Sequence, residues 1–516
     1  MNASPDAAPL SLARRAALLA TATSAATLAG CASVPLPQLL PTADQPPSAP
    51  REWRAAWVAS VAHIDWPSRA GLSVAEQQGA ARELLDQARA IGLNALILQV
   101  RPAGDALYVS ALEPWSEYLT GAQGRPPQPA WDPLAFWLEE ASRRGIELHA
   151  WLNPYRARHP TARSPLVSPH LGVVHPPAVK TYGDLQWMDP AEPAAMQRTL
   201  AVVTDIARRY PLAGLHIDDY FYPYPLRQGD VELPFPDRPA WHRYLALAAS
   251  QGGALSREDW RREQVDRLVQ EMHRVVREAR PGMAFGVSPF GLGRPDRRPP
   301  GVTGFSQYDK LYADVERWLS EGWMDYLAPQ LYWAIGSSGQ PFGPLLDYWR
   351  AQNPRAIPIR PGLYSSRVGA AERGWVAQEI VEQIALLRTR PGVDGHAHFS
   401  LSALVQDRGG LGQALRSGPY AQGALAPLRR GAPLSPAPSA PLLERRWWGA
   451  FELAAAPGPG RAFVHALWLR ERGRWRFAVQ PAAQRDLPLT VHTDWLVASA
   501  VDAHGQEGPR QAWRLG

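Results

Sequence analysis

Cysteine, lysine and long apolar runs are almost missing from this sequence. Its 516 residues include one cysteine, Cys31, and two lysines, Lys180 and Lys310. A single thiol excludes a disulfide framework within the chain and a metal site made of several thiolates. No run of eighteen apolar residues follows the first forty or so residues, which excludes a polytopic membrane protein.

Positive charge comes almost entirely from arginine and is spread along the chain. The formal net charge is +6 at pH 7, and basic residues form only short runs such as Arg297-Arg298 and Arg429-Arg430. A nucleic-acid surface should show clustered basic residues, so we expect no nucleic-acid partner. Hydrophobic residues make up 46% and charged residues 20%, shares that are typical of a globular protein and exclude a fully disordered chain or a coiled coil.

The N-terminal region has the pattern of an export signal. Arg14-Arg15 precedes the apolar stretch 16–28, and small residues come directly before Cys31. The tetrad Leu28-Ala29-Gly30-Cys31 resembles a bacterial lipobox, which implies that residues 1–31 form a lipoprotein signal segment and that Cys31 is acylated. A short buried helix with an incidental cysteine is the alternative. Residues 32–50, rich in Pro, Ala and Gln, predict a flexible tether.

Residue 32 bears on the destination of such a lipoprotein. The lipobox resemblance implies a lipid-anchored position in the cell envelope, and Ala32 rather than an aspartate after Cys31 implies sorting to the outer membrane. In a cell with an outer membrane, the expected place is that membrane, facing the periplasm. Arg14-Arg15 leaves both Sec and Tat export open.

Alternating strand-like and helical segments over residues 51–415 predict an α/β fold, a TIM (β/α)8 barrel. An open doubly wound sheet is the alternative, although no Gly-rich phosphate loop follows an early strand. Residues 416–443, rich in Pro, Ala and Gly, predict a linker with few contacts, and residues 444–516 predict a small all-β, sandwich-like domain. The barrel is therefore expected to fold without residues 416–516. The eight expected strands are 53–61, 95–100, 147–152, 214–218, 284–288, 326–331, 357–363 and 395–401.

Catalytic groups of a TIM barrel follow the C-terminal ends of its strands. The fourth expected strand ends in the acidic pair Asp218-Asp219, followed by an aromatic run. Side chains alternate along a strand, so every second residue near a strand end should point into the barrel mouth. The residues placed inward by this rule are Asn153 and Tyr155 on strand 3, His216 and Asp218 on strand 4, and Gln330 and Tyr332 on strand 6.

Carboxylates among tyrosines and tryptophans favour glycoside cleavage, which needs two carboxyl groups at the bond, one ionised and one protonated. Asp218 and Asp219 are the first catalytic candidates, and Glu117 on the loop after strand 2 is the expected partner, with Asp105 and Glu113 as alternatives. No Cys/His metal spacing and no G-x-S-x-G motif occurs in this rim, and we expect no metal or cofactor. The predicted substrate-binding residues are Arg101, Asp105, Trp115, Asn153, Tyr155, His216, Tyr220, Tyr222, Gln330, Tyr332 and Trp333.

Five segments within residues 52–405 resemble the bacterial glycosyl-hydrolase-like family 10. They are PWSEYLTG at 114–121, HAWLNPYR at 149–156, DDYFYPY at 218–224, GVSPFG at 286–291 and YLAPQLYW at 326–333. The resemblance implies a TIM barrel, often on an exported lipoprotein. One member of the family cuts peptidoglycan glycan strands stripped of their stem peptides at the division site, and it has Asp where Glu117 stands here. The acidic motif of the family carries over onto Asp218 to Tyr222.

The sequence thus predicts a lipoprotein glycoside hydrolase that acts on cell-wall glycan. The alternatives are a glycosidase for another polysaccharide, a non-catalytic carbohydrate-binding envelope lipoprotein, and a structural scaffold. The carboxylate-rich, aromatic rim favours an enzyme, because a scaffold has no need of it. No role is assigned to residues 416–516.

Overall fold

The computed structural model describes residues 35–40, 44–250, 253–433 and 435–515. Cys31 and the expected signal segment therefore lie outside the described residues. Within the described part, no helix has both the length and the apolarity needed to cross a membrane.

Eight parallel strands form one sheet in the predicted chain order. They are β1 (Trp53–Val58), β2 (Ala95–Arg101), β3 (Glu147–Leu152), β4 (Gly214–Ile217), β5 (Ala284–Val287), β6 (Tyr326–Leu327), β7 (Gly362–Leu363) and β8 (Gly395–His398). The order across the sheet is β6-β5-β4-β3-β2-β1-β8-β7. Its two ends meet through the parallel pairs Leu327 with Ile359 and Gln330 with Gly362. This closure confirms the α/β barrel.

Strands β6 and β7 are shorter than predicted, at two residues each. Pro329 interrupts the expected strand 326–331, and Pro358 and Pro361 interrupt 357–363. Proline has no backbone N–H to donate, so it breaks the ladder of hydrogen bonds between strands. Isolated bonds continue the pairing instead, such as Leu327 N to Pro358 O at 2.9 Å.

A helix follows each strand and covers the outside of the barrel. Tryptophans on three of these helices, Trp137, Trp318 and Trp349, are completely buried in the core between helices and sheet. A second core of Trp53, Trp57, Trp151 and Tyr326 fills the barrel interior. The helices are α1 (Val74–Ile91), α2 (Pro133–Arg143), α3 (Pro193–Arg209), α4 (Arg257–Ala279), α5 (Val315–Glu321), α6 (Phe342–Ala351), α7 (Ala377–Arg388) and α8 (Leu411–Ser417).

Long connections carry further short elements. Strands Arg156–Arg158, Val179–Tyr182 and Leu185–Met188 form a small antiparallel sheet between β3 and α3. A hairpin of Arg227–Gln228 and Val231–Glu232 and the helix Arg238–Ala248 lie between β4 and α4. The remaining short helices are Glu117–Thr120, Leu171–Val174, Gln307–Lys310 and Leu401–Val405.

The C-terminal region is all-β, as predicted. Its strands are β9 (Leu442–Arg445), β10 (Phe451–Ala454), β11 (Val464–Glu471), β12 (Arg474–Pro481), β13 (Thr493–Val501) and β14 (Gln511–Arg514). Strands β9 and β10 form an antiparallel hairpin, and the others form an antiparallel sheet in the order β12-β11-β13-β14. Leu443 and Leu453 of the hairpin share a buried core with Leu467 and Leu496 of that sheet.

The stretch predicted to be a linker with few contacts is packed against the barrel, so that expectation is wrong. Helix α8 runs past residue 415 to Ser417, and Tyr420 is only 5% exposed. The Tyr420 hydroxyl lies 2.5 Å from His396 Nε2 and 2.7 Å from His398 Nε2, both on β8. Arg429 donates to Glu147 at the start of β3 at 3.1 Å. Composition indicated an irregular segment correctly, but it carries no information about the buried partners of that segment.

The expected tether also makes contacts in its described part. Gln38 N donates to Ala512 O at 2.9 Å, and the Trp468 indole donates to Pro47 O at 2.9 Å. Asp44 pairs with Arg470 at 3.3 Å. Residues 38–50 where described thus lie along the C-terminal β domain.

We predict that Tyr420→Phe destabilises the whole chain. The change removes the hydroxyl that bridges two buried histidines, and an unsatisfied buried polar group costs about 1–3 kcal/mol. Chemical denaturation should show a loss of free energy of unfolding in this range. Tyr308→Phe is the control, because the Tyr308 hydroxyl makes no hydrogen bond to the described residues. Equal stability of the two variants would mean that the contact of Tyr420 with β8 contributes nothing.

Candidate active site

Strand β4 delivers Asp218 to the C-terminal mouth of the barrel, between the ends of β3 and β5. Ile217 is paired with Leu152 on one side and with Val287 on the other, so Asn153 and Ser288 flank Asp218. His216 belongs to the barrel interior, whereas Leu215 and Ile217 belong to the outer core. The predicted alternation along this strand is thereby confirmed.

Asp218 is a buried carboxyl group, 5% exposed. The Trp151 indole faces it and favours its anionic form, but none of the described residues bonds its oxygens in normal hydrogen-bond geometry. Burial and the neighbouring Asp219 charge raise its pKa to about 7, although the positive charge of Arg156 opposes the rise. Near neutral pH this group therefore exists partly as the acid, which is the form that can donate a proton.

Asp219 is equally buried but is held by polar neighbours. The Tyr224 hydroxyl donates to Asp219 Oδ2, and the Gln330 amide also faces this carboxylate while donating to Ser288 O at 3.0 Å. Burial raises the pKa of Asp219, and the bonds from Tyr224 and Gln330 work against that rise by stabilising the anion. The two adjacent aspartates thus have different surroundings.

Arg156 supplies the positive charge of the site. Its guanidinium carbon lies 4.2 Å from the centre of the Tyr220 ring, and Nη1 donates to Pro102 O at 3.3 Å. Its charge lowers the pKa of both Asp218 and Asp219 against the effect of burial. Arg156 was not among the predicted site residues, and its place within the segment HAWLNPYR was the available signal.

Aromatic rings surround the acidic pair. Tyr332 stacks on Tyr364 at 5.1 Å between ring centres, and Trp333 meets Phe290 edge-on at 5.7 Å. Tyr220, Tyr332 and Trp333 are only partly buried, so they can present ring surface to a ligand. Trp151, a residue missed by the sequence analysis, is 6% exposed, and its indole faces the Asp218 carboxyl group and lowers the pKa of that group against the effect of burial.

Several predicted binding residues lie deeper than expected. Tyr155 and Tyr222 are buried in the outer core, at 0% and 1% exposure. The inward placement of Tyr155 is wrong, because Asn153 Oδ1 accepts from the backbone N–H groups of Tyr155 and Arg156 and turns the chain out of the strand. Asn153 keeps a side-chain nitrogen without a partner in the described part of the chain.

His216 belongs to a hydrogen-bonded chain inside the barrel. Trp57 Nε1 donates to His216 Nε2 at 3.2 Å, and His216 Nδ1 lies 3.0 Å from the Tyr326 hydroxyl, which lies 3.1 Å from His149 Nδ1. Burial holds the pKa of His216 well below its ordinary value, so the ring is neutral. His216 is therefore positioned to stabilise the barrel interior next to Asp218 rather than to contact a sugar.

Arg101 is also enclosed. It is 0% exposed and binds Glu113 through Nε at 2.8 Å and Nη2 at 2.5 Å. Its Nη1 donates to Asn153 O at 2.6 Å. The pair links β2 to the loop that follows it and to the end of β3. These contacts give Arg101 and Glu113 a structural task.

Glu117 lies at the start of the short helix Glu117–Thr120, in the loop that follows β2. Its carboxylate accepts from Arg163 N at 3.0 Å and from Ser164 N at 2.6 Å. Glu117 lines a narrow cavity with Asp105, and Asp218 is not part of that lining. Burial raises the pKa of Asp105 to about 7. Trp115, partly buried, precedes this helix. The contacts favour loop anchoring by Glu117, and its assignment as the second catalytic carboxylate stays a prediction.

We expect Glu117→Gln to act mainly on the loop that contains Arg163 and Ser164. The amide weakens the charge-assisted bonds, which should lower the free energy of unfolding by about 1–3 kcal/mol. Glycan cleavage should fall by less than about tenfold, a barrier change under about 1.4 kcal/mol. A loss of several orders of magnitude with unchanged stability would instead establish Glu117 as a catalytic partner. Glu83→Gln, on an exposed side chain of α1, is the control.

Comparison with known proteins places this geometry in a family. The profile described as "Glycosyl hydrolase-like 10" matches residues 52–377. The chain is 38% identical over 385 residues to "Glycosyl hydrolase YngK" of Bacillus subtilis, covering 73% of each chain. It is 30% identical over 423 residues to "Glycosyl hydrolase DigH" of Escherichia coli K12, covering 75% of this chain and 92% of the relative.

Among solved structures, the PgaB (BpsB) glycoside hydrolase domain from Bordetella bronchiseptica superposes with a TM-score of 0.48 at 14% identity, covering 71% of this chain and 98% of that domain. The match to the family profile and the two relatives agree with the acidic, aromatic mouth of the barrel. The chain is a glycoside hydrolase and belongs to the glycosyl hydrolase-like 10 family.

Proposed function

We propose that this protein is an exported lipoprotein that hydrolyses glycosidic bonds of peptidoglycan, with Asp218 as general acid. The observation that carries the catalytic part is the contrast between the two aspartates. Among the described residues, no donor bonds Asp218 in normal hydrogen-bond geometry and its pKa is near 7, whereas Asp219 accepts a hydrogen bond from the Tyr224 hydroxyl. Glycoside cleavage needs this division between a protonated and an ionised carboxyl group.

The reaction follows from the positions of these groups. Asp218, in its acid form, donates its proton to the leaving glycosidic oxygen as the C–O bond breaks. Asp219 in its anionic form, which the hydrogen bond from the Tyr224 hydroxyl favours, stabilises the positive charge that develops on the sugar ring. The partly exposed rings of Tyr220, Tyr332 and Trp333 bind the C–H faces of the sugar. Water then attacks the anomeric carbon and gives one proton to the Asp218 carboxylate, which restores the acid.

Support for the peptidoglycan substrate comes from the family resemblance of the five segments, one member of which cuts denuded glycan strands. The experiment uses the purified full chain and peptidoglycan treated with an amidase to remove stem peptides. Release of soluble muramic-acid-containing fragments, identified by mass spectrometry, is the expected result. Cleavage of xylan, mannan or chitin instead would support a glycosidase for another polysaccharide, and binding without cleavage of any of them would support a carbohydrate-binding protein.

Support for the lipid anchor comes from Leu28-Ala29-Gly30-Cys31. A lipoprotein acylated at Cys31 carries enough acyl chains for stable membrane attachment. Cys31→Ser should release the protein from the membrane fraction while cleavage of soluble glycan stays unchanged. Wild-type protein that partitions into the aqueous phase of a detergent extraction, and carries no lipid by mass spectrometry, would contradict the anchor and favour simple secretion.

A further inference from the structure

A second cleft lies between the barrel and the C-terminal β domain. It has a volume of about 1130 Å³. Its barrel side includes Ile146, Leu212 and Met283, which lie one or two residues before β3, β4 and β5. Parallel strands run from this face to the mouth that contains Asp218, so the cleft is at the opposite end of the barrel from the catalytic pair.

The cleft carries an excess of positive charge. Two acidic residues, Glu139 and Glu147, line it together with five arginines. Within the described part of the chain, Arg280 donates only to the backbone carbonyls of Ala207 and Arg208, at 2.7 and 2.9 Å. Arg461 is exposed and forms no ion pair with the described residues. The five arginines are Arg143, Arg209, Arg280, Arg429 and Arg461.

The two arginines without carboxylate partners come from different units of the protein. Arg280 lies between α4 and β5 of the barrel, and Arg461 lies between β10 and β11 of the β domain. Both line one concavity, so a ligand in the cleft would contact both units. Guanidinium groups form paired, charge-assisted hydrogen bonds with oxyanions such as carboxylate and phosphate.

A buried histidine provides an independent sign of a ligand. His465 on β11 lines the cleft, is 1% exposed, and has no hydrogen bond at either ring nitrogen within the described residues. Buried polar groups are normally hydrogen-bonded, so a ligand or water bound there would supply the missing partner. Phe463, two residues earlier, adds a partly buried aromatic ring to the same lining. Ring surface beside polar groups is the usual composition of a sugar site.

We propose that this cleft is a second, non-catalytic binding site for an oxyanion-bearing glycan. Arg280 and Arg461 bind the anionic groups, and Phe463 packs on the sugar. Such a site gives residues 444–516 a function, which is to hold the enzyme on its polymer while the mouth of the barrel stays free. The inference rests on the proposed glycan substrate only in identifying the polymer, because the cleft and the catalytic mouth are separate.

Binding is measured with the full chain carrying Asp218→Asn, so that the glycan is not cut. The test variant adds Arg280→Gln and Arg461→Gln, and the matched control adds Arg267→Gln and Arg474→Gln, two exposed arginines outside the cleft. Denuded glycan strands, whose lactyl groups carry carboxylates, are one probe. A phosphate-bearing wall glycan is the second probe, and uncharged chitin oligosaccharides are the third.

We expect the test variant to bind the anionic probes at least about tenfold more weakly, with the control unchanged, because each charge-assisted bond is worth roughly a factor of ten. The wild-type affinity should also fall as salt is raised. Preference for the carboxylate or the phosphate probe then identifies the oxyanion. Equal binding by the test and control variants would overturn the proposal.

Hydrolysis of short denuded glycan fragments by the two arginine sets, with Asp218 intact, separates this inference from the proposed function. Unchanged turnover with weakened anion binding supports the second site. Absence of cleavage by the wild-type protein would count against the proposed function alone. If the double variant does not fold, Arg461→Gln by itself, on an exposed side chain, still decides the result. Unchanged anion binding in a folded Arg461→Gln variant would then overturn the proposal.

Discussion

Asp218→Asn should lower the turnover of denuded glycan strands by at least about a thousandfold, a barrier increase of about 4 kcal/mol. Asparagine has nearly the same shape as aspartate, but it has no carboxylic proton to donate to the leaving oxygen. Steady-state kinetics with purified protein provides the measurement. Asp230→Asn, on the exposed hairpin that also follows β4, is the control and should keep full activity. More than about a tenth of wild-type activity in Asp218→Asn would show that Asp218 is not the acid.

The same variant should be more stable than the wild type at neutral pH. Burial raises the pKa of Asp218 to about 7 in the folded state, above its ordinary value near 4. Between these two values the folded state binds more protons than the unfolded state, so stability is lost as pH rises from about 4 to about 7. Asparagine has no proton to lose and removes this dependence. Loss of activity together with a higher melting temperature at pH 7 would exclude misfolding as the cause.

Glu113→Gln should be the most destabilising of these substitutions, at about 3–5 kcal/mol. Arg101 is completely enclosed, and the change leaves its charge without the carboxylate that it binds through Nε and Nη2. Denaturant unfolding would measure the loss. Glu139→Gln, which breaks an exposed pair with Arg143, should cost at most about 1 kcal/mol.

A second variant separates the buried charge from the shape of the site. Arg101→Met with Glu113→Leu removes both charges and should be more stable than Glu113→Gln alone, because no unpaired ion remains buried. A Glu113→Gln protein that keeps its stability but loses turnover would contradict the structural assignment. Glu113 would then be the catalytic partner that the sequence left open.

The sequence predicts the barrel and the acidic pair because both depend on local rules. Alternating strand and helix patterns locate all eight strands, and the two-residue period of β4 places Asp218 inward. The same period fails at Tyr155, where the Asn153 turn ends the strand. Prolines explain why β6 and β7 are short. The strand bounds were predicted from apolar runs alone, which do not take account of the missing N–H of proline.

Contacts between distant segments were beyond such rules. The enclosure of Arg101 depends on Glu113 and on the backbone of Asn153, which belong to separate loops. Likewise, the buried position of Tyr420 depends on His396 and His398 of β8. Residue types alone suggest substrate binding by Arg101 and a linker with few contacts around Tyr420. Both side chains are buried instead, and their burial depends on the packing of the whole fold.

The pH dependence of kcat/KM on denuded glycan strands, compared between the wild type and Arg156→Gln, tests the central claim that buried Asp218 acts as the acid. The wild-type rate should fall as pH rises through about 7, where Asp218 loses its proton. Arg156 lowers the pKa of Asp218, so its removal should shift this alkaline fall to higher pH. Arg158→Gln, at the other end of the short strand Arg156–Arg158, is the control and should leave the profile unchanged. An alkaline fall that is absent, or that moves to lower pH in Arg156→Gln, would contradict the assignment of Asp218 as the catalytic acid.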